Sequence, residues 1–369
     1  MKVLISGHNG FIGKHLRRQI TLKKHGIQFT YLSKSDFKSS KLLENKISPN
    51  DIIYHLAGVN RDINEDEVFK KNNEINQTLH STLDKVNFKG KLIFTSSIQE
   101  EHNTLYGKSK KDARLRFQKQ SERLGYEFFG LILPNVFGPF CKPNYNSFIA
   151  TFSKMIVDGK SPQIIDDKLI DLIYVSDLTN ELTKIITSSN KFNVDNYVKK
   201  IKVSDTLDKL LNFHEEYFDN GNIPIFNSEF DVSLFNTYRS YINLKEFFPK
   251  IHKLSSDDRG DFSEILRAGS KGQVSYSTTK TSMIRGGHFH TRKIERFSVI
   301  SGKAKIILRE ILSNEKIEFI LDGKIPSYVD MPIWYTHNIQ NIDKSDLVTI
   351  FWINEHYDPA DSDTFMEKV

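Results

Sequence analysis

Only one of the 369 residues is a cysteine, Cys141, so no disulfide can form within the chain. A reducing compartment fits that usage, and a cytoplasmic location is the expectation. Long hydrophobic runs are also missing: none approaches the roughly 18 apolar residues a membrane span needs. At the start of the chain a basic residue precedes apolar ones. The apolar part covers only residues 3–6 before Gly7 and Gly10 interrupt it, which argues against a secretory signal peptide. Internal repeats and low-complexity tracts are absent. Acidic residues are only slightly outnumbered, 46 Asp and Glu against 52 Lys and Arg, giving a net charge of +6. A surplus of that size fixes no partner. Solvated lysines account for it, and neither a nucleic acid nor a membrane is expected as a ligand. What remains is 38% hydrophobic and 27% charged. That is a soluble, globular profile on a chain long enough for two domains.

Up to about residue 190, short apolar runs alternate with longer amphipathic stretches. The runs are 3–6, 29–33, 52–58, 92–97 and 128–134. Buried parallel strands read this way, and their alternation with helices predicts a doubly wound α/β sheet of Rossmann type. Helices are expected over 176–189 and 203–219, and a loop over 220–228. After Pro249 the texture changes. Residues 297–312 and 345–357 are β-rich with Gly, Asn and Asp at the turns, and no convincing helix follows. An antiparallel sandwich or barrel of about 115 residues is predicted there. The boundary is placed at 245/246, giving domains 1–245 and 246–369.

Three constellations carry chemistry. In the first, Gly7, Gly10 and Gly13 follow the first strand and open a helix expected from Lys14 to about Lys24. Glycines let the backbone approach a pyrophosphate, and the helix N-terminus offers N–H groups to it. Asn9, Phe11 and Ile12 complete that cofactor loop. The second strand ends at Ser33 and Lys34 with no acid before Asp36. An NAD enzyme usually carries an acid at that strand end for the ribose hydroxyls. Ser33 and Lys34 suit a 2′-phosphate, so NADPH is expected over NADH, with Asp36 available to the adenine edge.

In the second constellation, Tyr106 and Lys110 are four residues apart, on one helix face. A carbonyl that receives a hydride also needs a proton donor. A nearby ammonium is expected to lower the phenol pKa toward a useful value. A serine at the end of the preceding strand, Ser96 or Ser97, would hold the carbonyl oxygen. The third constellation is His288, His290, Glu295 and His337, with Gly302 between the last two. Alternate histidines on a strand share a face. Three imidazoles and a carboxylate suit one divalent cation from the set Zn, Fe, Mn or Ni, with zinc preferred.

The first part of the chain resembles the nucleotide-sugar branch of the extended short-chain dehydrogenase/reductase superfamily. The resemblance rests on the glycine triplet, His55-Leu56-Ala57-Gly58, Ser96-Ser97, Tyr106 to Lys110, and Leu133 to Pro139. It implies cofactor contacts at Leu56, Ala57 and Gly58, catalytic roles for Tyr106, Lys110 and Ser97, and a sugar contact at Asn135. Two departures stand out. The loop from Ser97 to Tyr106 is short, and Ile132 occupies a position where the family often has arginine. Lys142, Asn144 and Arg239 are therefore candidate substrate contacts.

The second part resembles the cupins, with Trp334 where their second motif expects glycine. Arg285-Gly286-Gly287-His288 and Asp258 to Glu264 also resemble the metal-free sugar-epimerase cupins. That resemblance implies substrate contacts at Arg259 and Arg285, and makes His288 a ligand, a base, or both. Together the halves resemble a family of bifunctional capsular polysaccharide enzymes. It implies a UDP-2-acetamido-2,6-dideoxy-4-hexulose substrate, C3 epimerisation by the cupin, and NADPH reduction of the C4 ketone toward UDP-N-acetyl-L-fucosamine. A homodimer is expected. Two rival readings are a reductase whose cupin only dimerises, and a redox-sensing regulator.

Overall fold

The computed structural model describes every residue except Met1, 24–27, 188–192 and Arg259. They fall into two compact units, Met1–Thr151 with Asp166–Val203, and Phe152–Ile165 with Ser204–Val369.

The first unit is built on β1 (Val3–Ser6), β2 (Phe29–Leu32), β3 (Ile52–His55), β4 (Lys91–Ser97) and β5 (Glu127–Leu133). All neighbours are parallel, in the order β2-β1-β3-β4-β5. Successive side chains of a strand leave opposite faces, and here both faces are covered. Val3, Ile5, Ile52, Tyr54 and Ile93 pack with Leu16, Ile20, Leu178 and Leu182 on one side. Leu4, Ile53, Leu92 and Phe94 pack with Leu79, Leu83, Ala113 and Phe117 on the other. The strands therefore read as unbroken apolar runs. Each such side chain, fully buried, contributes roughly 1.5–3 kcal/mol.

Four helices of this unit carry labels: α1 (Phe11–Lys23), α2 (Ser40–Glu44), α3 (Glu65–Lys85) and α4 (Leu105–Leu124). Helix α1 begins at Phe11 rather than at Lys14, directly after the turn that Gly10 N–H closes on the Gly7 carbonyl. The helix expected over 176–189 is present as Val175–Lys184, and 188–189 lie outside the described residues. A smaller sheet of β6 (Asn135–Phe137), β7 (Leu169–Tyr174) and β8 (Lys199–Lys202) completes the unit.

The second unit contains two five-stranded antiparallel sheets. One has the order β12-β19-β14-β17-β9 and the other β16-β15-β18-β13-β20. The strands are β9 (Lys250–Ile251), β12 (Gln273–Thr279), β13 (Ile284–Phe289), β14 (Glu295–Ser301), β15 (Lys303–Glu310), β16 (Lys316–Asp322), β17 (Ser327–Met331), β18 (Tyr335–Asn341), β19 (Leu347–Ile353) and β20 (Phe365–Met366). A separate hairpin joins β10 (Leu254–Asp257) to β11 (Gly260–Ser263).

Residues 204–245, read from sequence with the first domain, group with this unit. Aromatic packing explains it. Tyr217 meets Phe235 and Phe247, and Phe248 meets Tyr328. Arg296, paired with Asp330, donates to the Gly221 carbonyl at 2.7 Å. The helical stretch expected over 203–219 is Val203–Phe213 continued by a π turn, His214–Asp219. Among the described residues no helix is long and apolar enough to cross a membrane.

Candidate active site and metal centre

The glycine loop is dictated by space. Gly7 has φ +69°, and a Cβ there would lie 2.8 Å from the Ala57 nitrogen. A Cβ on Gly13 would sit 2.2 Å from the Gly7 carbonyl oxygen. The loop is thus pressed against Leu56 and Ala57, while the first-turn N–H groups of α1, those of Phe11, Ile12 and Gly13, have no acceptor within the helix. Ser6 and His55 lie beneath. The His55 ring bonds Ser6 Oγ at 2.7 Å and Asn76 Oδ1 at 2.9 Å, and Ser6 Oγ accepts the Ala57 N–H at 3.2 Å. Burial drops the His55 pKa to about 4, so this brace is neutral. Asn76 on α3 is one of the residues sequence reading missed.

The same end of the sheet carries Tyr106 and Lys110. Gly58 adjoins Lys110: a Cβ on Gly58 would meet the Lys110 ammonium at 3.1 Å. Asn72, also missed, accepts the Val59 N–H at 2.7 Å and donates to the Val59 carbonyl at 2.9 Å, fixing the loop after Gly58. Helix α4 starts at a Thr104 cap, and its Gly107 packs so closely that a Cβ would lie 2.0 Å from the Gln99 carbonyl oxygen. That contact seats Tyr106 and Lys110 beside the end of β4. Lys110 donates to the Thr95 carbonyl at 3.0 Å and lies over the Phe94 ring. Burial lowers its pKa to about 8, and the charge of Glu100 partly offsets this.

The phenol departs from expectation. Tyr106 is not pulled down by the ammonium. Burial, and then Tyr145, push it up to about 12. A phenol held neutral is still suited to give a proton, which is what reduction asks of it. Of the two serines, Ser96 is buried and donates to Glu100, which also holds Arg114 through contacts of 2.7–3.1 Å. Ser97 is half-buried, and among the described residues its Oγ accepts the Gln99 N–H at 3.2 Å. Ser97 is therefore the serine presented at the strand end, and Glu100 and Arg114 form a support that sequence spacing did not reveal.

A pH dependence follows from Lys110. The ammonium is charged below about 8 and neutral above, so kcat/KM for ketone reduction should fall as pH rises through that value. Glu100→Gln removes the charge that raises Lys110 and should move the falling limb to lower pH. A limb that stays in place in that variant, measured by stopped assays across pH 6–10, would separate the limb from Lys110.

At the end of β2, Asp36 is buried. It accepts the Ser33 N–H at 2.7 Å, the Ser33 hydroxyl at 2.8 Å and the Lys46 ammonium at 2.9 Å. Burial would raise its pKa, but Lys46 and Ser33 outweigh that and hold it down. Asp36 braces the turn, and its carboxylate is taken up by Ser33 and Lys46. Lys34 is exposed. Two further cationic or ionisable groups lie nearby. The His8 ring stacks on Tyr31 at 4.7 Å, and the Arg17 guanidinium covers the same ring at 4.9 Å.

The candidate substrate contacts separate. Lys142 is exposed with its ammonium 5.4 Å from the Tyr145 ring centre, and Arg61 covers that ring at 5.8 Å and donates to the Asn144 carbonyl at 3.3 Å. Tyr145 in turn influences Tyr106. Lys142, Asn144, Tyr145 and Arg61 thus form one cationic, aromatic cluster, of which sequence reading found half. Asn135 is half-buried, donating weakly to the Asp171 carbonyl at 3.5 Å. Arg239 belongs to the second unit. It is buried, donates to the Met331 carbonyl at 3.1 Å and covers Tyr217 and Phe235, surroundings that give it a packing role. Arg259 lies outside the described residues.

In the second unit, His288, His290, Glu295 and His337 each present one ligand atom, and these atoms all lie within 4.8 Å of one another. His288 and His337 are directly paired on β13 and β18. Glu295 opens β14 in the opposing sheet, with Oε2 3.0 Å from His290 Nε2 and 3.2 Å from His337 Nε2. These three atoms are buried, at ion-pair distance, and have no hydrogen-bond partner among the described residues. On the far side of the rings, His290 Nδ1 meets the Asp363 carbonyl at 2.6 Å and His337 Nδ1 meets the Tyr335 carbonyl at 3.2 Å. Carbonyls can only accept, so both Nδ1 atoms carry protons and both Nε2 atoms face inward. Burial would lower the His290 pKa, but Glu295 outweighs it and raises it, and a cation bound there would displace any Nε2 proton. Buried lone pairs converging without partners fit a divalent cation.

Burial alone would raise Glu295, but His290 and His337 outweigh it and hold the carboxyl well below its ordinary range. His288 is half-buried; burial, with its histidine neighbours, lowers it to about 4, so it is a neutral imidazole. A register shift between Gly286 and His288 pairs Arg285 with Ile339 and His288 with His337. Directly paired residues share a face, so the bulge brings Arg285 to the face of His288. Arg285 is exposed and tethered to Thr279 Oγ1 at 3.1 Å. Trp334 has φ +65°, the left-handed conformation that explains why glycine is expected there.

The chain and its fold have counterparts among known proteins. Residues 3–197 match the NAD dependent epimerase/dehydratase family, and residues 255–365 match the polysaccharide biosynthesis C-terminal domain. The chain belongs to the NAD dependent epimerase/dehydratase family, in the two-part branch represented by the capsular polysaccharide proteins of CapF type. The crystal structure of the capsular polysaccharide assembling protein CapF from Staphylococcus aureus is 31% identical, covers all of both chains and has a TM-score of 0.63. UDP-2-acetamido-2,6-beta-L-arabino-hexul-4-ose reductase of Pseudomonas aeruginosa is 32% identical, over 99% of this chain and 98% of its own. UDP-N-acetylglucosamine 4-epimerase from Bacillus cereus, 17% identical over 58% of this chain and 82% of its own, shares the fold with a TM-score of 0.51.

Proposed function

We propose that this chain is a bifunctional enzyme of capsular polysaccharide synthesis acting on UDP-2-acetamido-2,6-dideoxy-4-hexulose. The C-terminal unit, of cupin type, epimerises C3, and the N-terminal unit reduces the C4 ketone with NADPH to UDP-2-acetamido-2,6-dideoxy-L-talose. The observation that carries the reading is one chain holding both a neutral phenol beside a desolvated lysine and a buried His–Glu cluster with partnerless lone pairs. The location proposed is cytoplasmic.

Gly7, Asn9, Gly10, Phe11, Ile12 and Gly13 would hold the pyrophosphate of NADPH, with Ser33 and Lys34 toward the 2′-phosphate and Leu56 to Gly58 along the dinucleotide. When bound, that cofactor supplies the hydride for C4. Tyr106 gives its proton to the C4 oxygen, Lys110 stabilises the phenolate left behind, and Ser97 orients the carbonyl. Lys142, Asn144 and Arg61 face the diphosphate, and Asn135 the sugar. His288, His290, Glu295 and His337 would hold one divalent cation, zinc by preference, which supplies Lewis-acid or structural support. His288 is neutral, and in its alternative role it takes the C3 proton, acidified by the adjacent ketone. Arg285 stabilises the oxyanion charge, and a proton returns to the opposite face of C3 from solvent. Reduction at C4 then ends the acidity of C3.

An NMR time course with the UDP-keto sugar in heavy water tests this. Solvent deuterium is expected at C3 without NADPH, and the 4-hydroxy product only with it. No deuterium at C3 would favour the second reading, a reductase whose C-terminal unit dimerises. That reading has its own support in Phe262, Val274 and Tyr276, each more than 60% exposed on β11 and β12; we infer a homodimer in either case. For the cofactor, the KM for NADPH is expected to lie below that for NADH by about tenfold or more, one charge-assisted phosphate contact being worth roughly 1.5–3 kcal/mol. Lys34→Ala should narrow the gap, and a wild-type preference for NADH would overturn the assignment.

A further inference from the structure

Near the chain end, Asp363 joins the metal cluster to the C-terminal tail. Its carboxylate accepts the N–H groups of Thr291, Arg292 and Lys293 at 2.9–3.2 Å and the Thr291 hydroxyl at 2.6 Å. Successive N–H groups that converge on one anion form a nest. These donors follow His290 directly in sequence, and the main-chain carbonyl of Asp363 accepts the His290 Nδ1–H at 2.6 Å. The carbonyl of Asp363 therefore holds the His290 ring while its side chain holds the backbone of the three residues that follow. Asp363 itself is buried and has φ +41°, a left-handed conformation that is uncommon outside glycine and that aspartate adopts more readily than most residues. Beyond it, Phe365 and Met366 pair with Phe289 and His288. Glu367 N–H bonds the Gly287 carbonyl at 3.0 Å.

We propose that Asp363 is a positioning residue of the metal centre, a latch by which the C-terminal tail sets the tautomer and direction of the His290 ring. The inference rests on the reading of the cluster as a metal site. With Nδ1–H engaged, the lone pair of Nε2 is left facing Glu295 and His337. Without the carboxylate, the nest loses its anion, the carbonyl leaves the ring, and Nε2 no longer holds its lone pair toward the cluster. Partners of this kind change metal affinity without touching the ion.

The test uses the full-length protein and Zn(II) in competition with a chromophoric chelator. Asp363→Ala is expected to weaken zinc binding by about 10–100-fold. Asp363→Asn, whose amide oxygen can take the three N–H groups, is expected to recover most of that loss. In the metal-free protein, at a pH high enough for the ring to be neutral, 15N-edited NMR should show His290 as the Nδ1–H tautomer in wild type and a mixture in Asp363→Ala. A purely structural role would lower thermal stability and move neither readout. Unchanged zinc affinity in a folded Asp363→Ala overturns the inference and leaves the metal reading intact. Should that variant fail to fold by circular dichroism, Thr291→Val, which removes only the hydroxyl donor, carries the test: a smaller loss of affinity supports the latch, and no loss overturns it. Wild-type protein that takes up no more zinc than His290→Ala overturns the metal reading itself, and the latch with it.

Discussion

Tyr106→Phe is expected to cut ketone-dependent NADPH oxidation by about 10²–10⁴-fold, the range a positioned acid contributes, while deuterium exchange at C3 continues at its wild-type rate. In the proposed reaction the phenol is the proton source for the C4 oxygen, and its neighbours are not placed to replace it. The Lys110 ammonium is committed to the Thr95 carbonyl at 3.0 Å. The Ser96 hydroxyl is committed to Glu100. Ser97 has an alcohol's acidity and cannot take up the role at neutral pH. Phenylalanine keeps the ring that fills the half-buried site, so stability and cofactor binding should change little. Quenching of intrinsic fluorescence by NADPH checks the binding, and the NMR time course separates the two half-reactions. A Phe variant that reduces the sugar at the wild-type rate would mean the proton comes from another group. A variant that loses C3 exchange as well would mean the two half-reactions share this residue.

How much of this was legible in the sequence depended on the range of the interaction. The parallel sheet could be read because its central strands, buried on two faces, are apolar at successive positions, as residues 3–5 and 52–54 are. The glycine loop could be read because Gly7 and Gly13 occupy places where any Cβ collides with backbone. The histidine and glutamate cluster could be read from residue type and strand parity, although parity alone would have put Arg285 opposite His288 without the bulge.

Side-chain pairings across distance were not legible. Glu100 and Arg114 lie 14 residues apart on a turn and a helix, and Asp363 reaches the segment after His290 from 70–72 residues away. Nothing local marks either pair. The phenol pKa was misjudged for a related reason. The spacing of Tyr106 and Lys110 was visible, but the burial that pushes the phenol up and Lys110 down belongs to the tertiary structure. Arg239, in an aromatic-rich segment, was read as a ligand contact; the helix Glu229–Arg239 turns it into the aromatic packing of its own unit.

His290→Ala should abolish stoichiometric zinc, read by elemental analysis after gel filtration, and make the melting temperature insensitive to chelator. In the wild type, the imidazoles of His290 and His337 and the Glu295 carboxylate put three buried, partnerless ligand atoms around one point. Leaving them unfilled is costly, since a buried polar atom without a partner costs about 1–3 kcal/mol. A cation that binds the folded state alone adds stability of about 4 kcal/mol at a thousandfold excess over its dissociation constant. Chelator should therefore lower the wild-type melting temperature, and the Ala variant should start from that lowered value and stay there. Removing His290 also leaves Glu295 with His337 as its one close imidazole of the pair that held its pKa down. The same variant divides the roles open to the metal. If the ion assists proton removal at C3, deuterium exchange falls with zinc content across partially loaded samples. If it only holds the fold together, exchange persists in His290→Ala below its melting temperature, with His288 as the base acting alone. Full zinc occupancy in the variant would remove His290 from the ligand set.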